Sequence, residues 1–130
     1  MLIAIIFVGL AIAALMAGNG AFTQANAVAN EMSTAEFLTE QIRERTTLLH
    51  FENLHSFDDV TYCPPRDAKG DELTDFAAYS QQITVEYVEN TNFTQVDATP
   101  DSTNRFIRVT VKIYLGTKEL SSTNWVRAQY

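Results

Sequence analysis

His50 and His55, with Asp58 and Asp59 behind them, are the side chains most suited to holding a metal ion. The two histidines lie five apart, whereas ligands that share a helix face come at i,i+4. Their spacing reads as solvated loop residues. Asp67, Asp71, Glu72 and Asp75 form a second group, of the type that attracts calcium. They lack EF-hand spacing, so no metal site is expected there either. Cys63 is the sole cysteine, which excludes an intrachain disulfide, a CxxCH haem attachment and paired-cysteine zinc motifs. It reads as a structural or incidental thiol before Pro64 and Pro65. No Ser/His/Asp set, phosphate loop or nucleophile elbow stands out. No catalytic residue, cofactor or metal is therefore expected. Asn92-Phe93-Thr94 is a glycosylation sequon in a polar stretch, which marks Asn92 as a candidate for modification in an exported surface loop.

The elements that must carry these residues are of two unlike kinds. Glu31 is the first charged residue of the chain. Before it, Met1 to Phe22 is apolar apart from Asn19 and its glycines. About 20 helical residues span a hydrocarbon layer, and this run meets that length. A cleaved signal peptide would show a basic segment before a shorter apolar stretch. Here no Lys or Arg precedes the run, and helical character continues after it, so a retained helix is expected. Gly9 lies inside the run, and Gly18 and Gly20 flank Asn19. Small residues let helices approach closely in an apolar medium. Gly18-Asn19-Gly20 has a second reading, as a weak point where the helix loses its hydrogen bonds and extends, because each glycine costs a helix about 0.5–1 kcal/mol relative to alanine.

From Phe22 onward the pattern becomes a helix with one apolar stripe. Ala25, Val28, Met32, Ala35, Leu38, Ile42, Arg45 and Leu49 follow three- and four-residue spacing, and Arg45 is the one charged member. Glu40 with Arg43 is a favourable i,i+3 pair, whereas Glu36 with Glu40 is like-charged at i,i+4. No proline occurs before Pro64. A single helix from near Met1 to near Leu49 would be about 75 Å long. Such a length suits a spine shared by many subunits.

The remainder is β-rich. Phe51 to Asp75 has the composition of a loop. In Gln82 to Val88, Ile83, Val85 and Tyr87 share a face. In Arg105 to Leu115, Ile107, Val109, Val111, Ile113 and Leu115 point one way, and Arg108, Thr110, Lys112 and Tyr114 the other. Gly116-Thr117-Lys118 is a turn, and Glu119 to Gln129 returns as a partner strand. Asn90 to Asn104 is a polar connection. The expected fold class is α+β: a three-stranded antiparallel sheet laid on the apolar stripe, with Ile107, Val109, Val111 and Ile113 facing Met32, Leu38 or Ile42. Arg108 and Lys112 are expected to face solvent or a neighbouring subunit. The aromatic residues, from Phe51 to Tyr130, are spread over strands and loops, as core and interface packing requires. The chain thus reads as three parts: a hydrophobic half-helix over 1–22, an amphipathic half over 23–50 and a β-rich head over 51–130. The net charge of −7 and the scattered Lys and Arg residues argue against nucleic acid as a partner.

Leu2 to Leu15, LIAIIFVGLAIAAL, resembles the mature N-terminal helix of type IV pilins and pseudopilins, with Gly9 aligned to that family's central glycine. EMSTAEFLTEQIRE resembles the amphipathic half of the same helix. The resemblance covers about the first fifty residues. It implies an assembly core of Leu2, Ile5, Ile6, Gly9, Leu10, Ala13 and Leu15, and a helix that stretches near Gly18, Asn19 and Gly20 on assembly. It also implies copies of the same chain as partners, an inner-membrane stage before assembly, and pilus assembly machinery. The family's processing site, a glycine and phenylalanine followed by a glutamate, has no counterpart. On the Gly9 alignment Met1 falls just after that glutamate. Either the sequence starts a few residues inside the mature N-terminus, or it departs from the family there. The expected function is a structural subunit of an extracellular filament. The alternatives are a minor pilin or pseudopilin of a secretion or DNA-uptake machine, and a single-pass anchored binding domain that does not polymerise.

Overall fold

Strict alternation of β-branched and polar residues builds the centre of the head, and a helix face closes it. The computed structural model describes residues 2–100 and 105–129. Expectations that involved Met1, residues 101–104 of the polar connection and Tyr130 lie outside them. The chain divides into two units, Met1–Ser33 and Thr34–Tyr130. One helix, α1, runs over Leu2–Thr47 and contributes to both.

In the first unit every side chain from Leu2 to Asn30 is exposed. The helix is uninterrupted through Gly18, Asn19 and Gly20, so the break considered at that point is not present in this state. Two glycines cost only about 1–2 kcal/mol together, too little to break a helix that nothing pulls on. Thr23 Oγ1 also donates to Asn19 O at 2.9 Å, adding a local bond across the segment.

In the second unit, α1 is followed by a 3-10 helix at Phe51–Phe57 and five strands: β1 (Val60–Tyr62), β2 (Tyr79–Glu89), β3 (Asn92–Val96), β4 (Phe106–Leu115) and β5 (Lys118–Ala128). A short 3-10 turn, Thr74–Phe76, precedes β2. The sheet is antiparallel in the order β1-β2-β4-β5, and β3 pairs with the end of β2. The α+β class and the three long strands are as the alternation predicts. β1 and β3 were not expected. β1 has three residues, too few to show a period, and all five residues of β3 are exposed, so β3 has no apolar face to alternate.

The core joins Ala35, Leu38 and Ile42 of α1, Leu54 and Phe57, Ile83 and Val85 of β2, and Ile107, Val109, Val111 and Ile113 of β4. The four β4 side chains are fully buried, which confirms the strand register. Leu38 and Ile42 meet them as expected. Met32 does not belong to this core; at 48% exposure it is open to solvent, and Ala25 and Val28 before it are exposed as well. The stripe is buried only from Ala35, where the sheet begins to cover it.

Several polar groups inside the head have specific partners, although Arg45 Nη1, His55 Nε2, Arg108 Nε and Ser121 Oγ are buried without a hydrogen bond among the described residues. Gln81 is fully buried. Its Nε2 donates to Leu38 O at 3.0 Å and to Arg66 O at 3.1 Å, and its Oε1 accepts from Arg66 N at 2.8 Å. One side chain therefore joins helix, sheet and loop. Arg45 is the charged member of the stripe, and its guanidinium lies over Phe57 and Tyr62, at 5.1 and 5.5 Å from the ring centroids. Gly70 has φ +92°, a conformation that favours glycine, and a Cβ there would press on Arg45 Nη2 at 3.3 Å. Arg127 Nη1 donates to Thr46 O at 2.6 Å, a second bond to a helix-end carbonyl that also accepts from Leu49 N at 3.2 Å.

Candidate functional site

A helix that is apolar on every side has no face to offer water. Leu2, Ile6, Gly9, Leu10 and Ala13 follow three- and four-residue spacing along one side of α1. Ile5, Val8, Ile12 and Leu15 cover the other. Leu2, Ile5 and Leu15 are 78%, 69% and 67% exposed. Each large apolar side chain of this kind gains about 1.5–3 kcal/mol on full burial. Summed along the run, the gain from moving this segment out of water is on the order of tens of kcal/mol. By length and composition α1 can cross a membrane.

The surface is not uniform. Gly9, Ala13 and Ala17 lie four apart and form a flat strip along one side. Nothing lies within 4 Å of the position a Cβ on Gly9 would take. Gly9 is thus not needed for any contact within this chain. All seven expected assembly residues lie on this exposed helix, and none has a role in the core of the head.

The other sequence candidates are absorbed by the head or left apart. Asp58 Oδ1 accepts from Val85 N at 2.9 Å, so this carboxylate anchors β2. The His55 ring lies 4.4 Å from that of Tyr87, whereas His50 is exposed. Asp67 Oδ1 accepts from Lys69 N and Asp71 N, each at 2.9 Å, and Glu72 pairs with Arg66 at 3.6 Å, so these acids shape their own loop. Among the described residues no three His, Cys, Asp or Glu side chains are grouped to hold a metal. Cys63 is exposed and free. Ring contacts fall into separate sets: Phe37 with Phe76 and Tyr79, Phe51 and His55 with Tyr87, and Phe93 with Phe106.

Two clefts lie near the end of α1, of about 300 and 320 Å³. Arg127 lines both, and Arg43 lines the second. Arg127 is committed to Thr46 O, and Arg43 bonds Glu40 at 2.7 Å and stacks 4.9 Å from the Trp125 centroid. Both arginines are thus committed within the chain, and the other titratable side chains lining the first cleft are Glu52 and His50.

Sequence reasoning missed the role of Arg108. Its side chain is only 20% exposed and bonds Glu86 at 2.7 Å rather than facing open solvent. The direct opposition of Glu86 and Arg108 across β2 and β4 was a readable signal once the register was set. No family model, curated protein or solved structure matches this chain.

Proposed function

We propose that the chain is the structural subunit of a type IV pilus-like extracellular filament, built by packing N-terminal helices against one another. The observation that carries this reading is a helix with every side chain from Leu2 to Asn30 exposed, in the same chain as a head that seals its own core. Such a segment is satisfied by lipid or by copies of itself. The flat strip at Gly9, Ala13 and Ala17 favours copies of itself, since lipid has no need of close backbone approach. The resemblance of Leu2 to Leu15 to the pilin assembly helix supports the same reading. On this reading the subunit waits in the inner membrane, assembly machinery extracts it, and the filament reaches the cell surface. Its work is assembly and display rather than catalysis.

Two alternatives share the same helix. A minor pilin or pseudopilin would prime or cap a filament made mainly of another chain. An anchored binding domain would use the helix for the membrane alone. Electron microscopy of cells and of sheared surface fractions, with antibody to the head, separates the three. Uniform fibres labelled along their length support the subunit reading. Label at tips alone supports the minor pilin, and membrane label without fibres supports the anchor.

A further inference from the structure

Asn92 opens a segment that leaves the β-ladder. β2 and β3 are joined by the two-residue turn Asn90-Thr91. Glu89 pairs with Asn92 and the next pair is Val88 with Val96, so Phe93, Thr94 and Gln95 have no counterpart on β2. Backbone groups off the ladder need other partners. Arg108 supplies them: Nη1 donates to Thr94 O at 3.2 Å and reaches Phe93 O at 3.5 Å, while Nη2 is held by Glu86 Oε2 at 2.7 Å. The Phe93 ring lies 4.7 Å from that of Phe106. The bulge is therefore fixed in shape, yet all of β3 is exposed.

Within the bulge the Thr94 hydroxyl donates to Asn92 Oδ1 at 2.6 Å, and Thr94 N donates to the same oxygen at 3.1 Å. Both donors fall on the amide oxygen, and Nδ2 has no protein partner among the described residues. Of eight asparagines in the chain, Asn92 alone has Ser or Thr two positions on. Phe93 and Val96 beside it are 44% and 48% exposed, an apolar margin on a short strand that a bulky polar group would shield.

We propose that Asn92 is an N-glycosylation site, whose donor is a glycan carried on a polyprenyl phosphate or diphosphate. Asn92 Nδ2 forms the new bond to the anomeric carbon. The bond from that carbon to the lipid phosphate oxygen breaks, and the lipid phosphate leaves with the electron pair. One Nδ2 proton passes to a base of the transferase, and nothing is oxidised or reduced. The proposal rests on the part of the functional reading that places the head on the exported side.

The test uses the full chain, made in a host that exports it and N-glycosylates its own surface proteins. Trypsin releases residues 70–105 as one peptide, because Lys69 and Arg105 bound it with no Lys or Arg between. Mass spectrometry should find a glycan on Asn92 in this peptide. The glycan should be lost in Asn92→Gln and in Thr94→Val, and kept in Thr94→Ser and in Asn90→Gln. An unmodified peptide from a head that protease reaches on intact cells overturns the proposal, as does a glycan that survives Asn92→Gln. Microscopy of the same cells keeps the two readings apart. Fibres without glycan sink the site and leave the filament, and glycan without fibres does the reverse. A head that protease cannot reach overturns both.

Discussion

Ala11→Glu should abolish filament formation while leaving the head folded. Ala11 lies near the middle of the apolar run and is exposed, so in the isolated chain the new carboxylate meets only solvent. In a bilayer or a helix bundle it is buried without a partner. A charge at the centre of a membrane helix costs about 2.5–3.5 kcal/mol on insertion scales. At 1.4 kcal/mol per factor of ten, that weakens each subunit's incorporation by roughly two orders of magnitude. Ile5→Asp, nearer the end of the run, should act in the same direction. Gly9→Leu separates assembly from insertion, because it adds apolar surface and meets nothing within the chain. It should partition into membranes normally and still fail to assemble. Thr99→Glu is the control: the Thr99 side chain is exposed, and its local bond to Asp97 is made by the backbone nitrogen. The assay is fibre yield in sheared surface fractions, read beside membrane-fraction yield and the near-ultraviolet circular dichroism of the head. Normal fibres from Ala11→Glu would refute the claim that this segment is the assembly core. Normal fibres from Gly9→Leu would refute the flat strip as the contact.

Three further outcomes follow from the same physics. Val111→Ala removes two buried methyl groups from the middle of β4, and should lower head stability by about 1–3 kcal/mol in denaturant titration of the full chain in detergent, against near-neutral Lys112→Ala on the opposite face; a larger loss from the lysine variant would mean the register is wrong. Gln81→Leu strands the Arg66 amide and removes the side-chain bonds to the Arg66 and Leu38 carbonyls, and should cost about 1–3 kcal/mol in the same titration; an unchanged midpoint would show that the Gln81 bonds contribute nothing net. Gly18→Ala with Gly20→Ala should stabilise the helix by about 1–2 kcal/mol, since neither new Cβ meets an atom, and should slow amide exchange over residues 15–24 in micelles. If the filament needs that segment extended, the double variant also assembles poorly; unchanged exchange rates would remove the weak-point idea.

What could be read from the chain alone depended on whether one period ruled a segment. β4 alternates without exception from Ile107 to Ile113, because one face meets α1 and the other does not, and its register was readable. The helical stripe was readable as a stripe, but its period is the same from Ala25 to Leu49. Nothing in that period marks where the sheet starts to cover it, so Met32 was expected in a core that begins at Ala35. Arg45 shows the same limit from the other side. It sits in the stripe like an error, and the aromatic rings of Phe57 and Tyr62 and the bare backbone of Gly70 that surround its guanidinium are all distant in sequence. Gln81 lay just outside the strand expected from Gln82, and nothing local marked its role, because its partners Leu38 and Arg66 lie far along the chain.

The apolar helix reverses this relation between sequence and structure. Its residues were legible at once, since no charge interrupts them before Glu31. The structure of one chain adds least there, because Ile5, Gly9 and Ala13 are exposed and play no part in the core of the head. A residue such as Ile107 is accounted for by what it touches within the head. Gly9 touches nothing within 4 Å, and the chain itself gives no local reason for a glycine in mid-helix, where it costs about 0.5–1 kcal/mol relative to alanine. On the filament reading proposed above, that cost is offset outside the molecule, where a missing side chain would permit the close approach of a second helix.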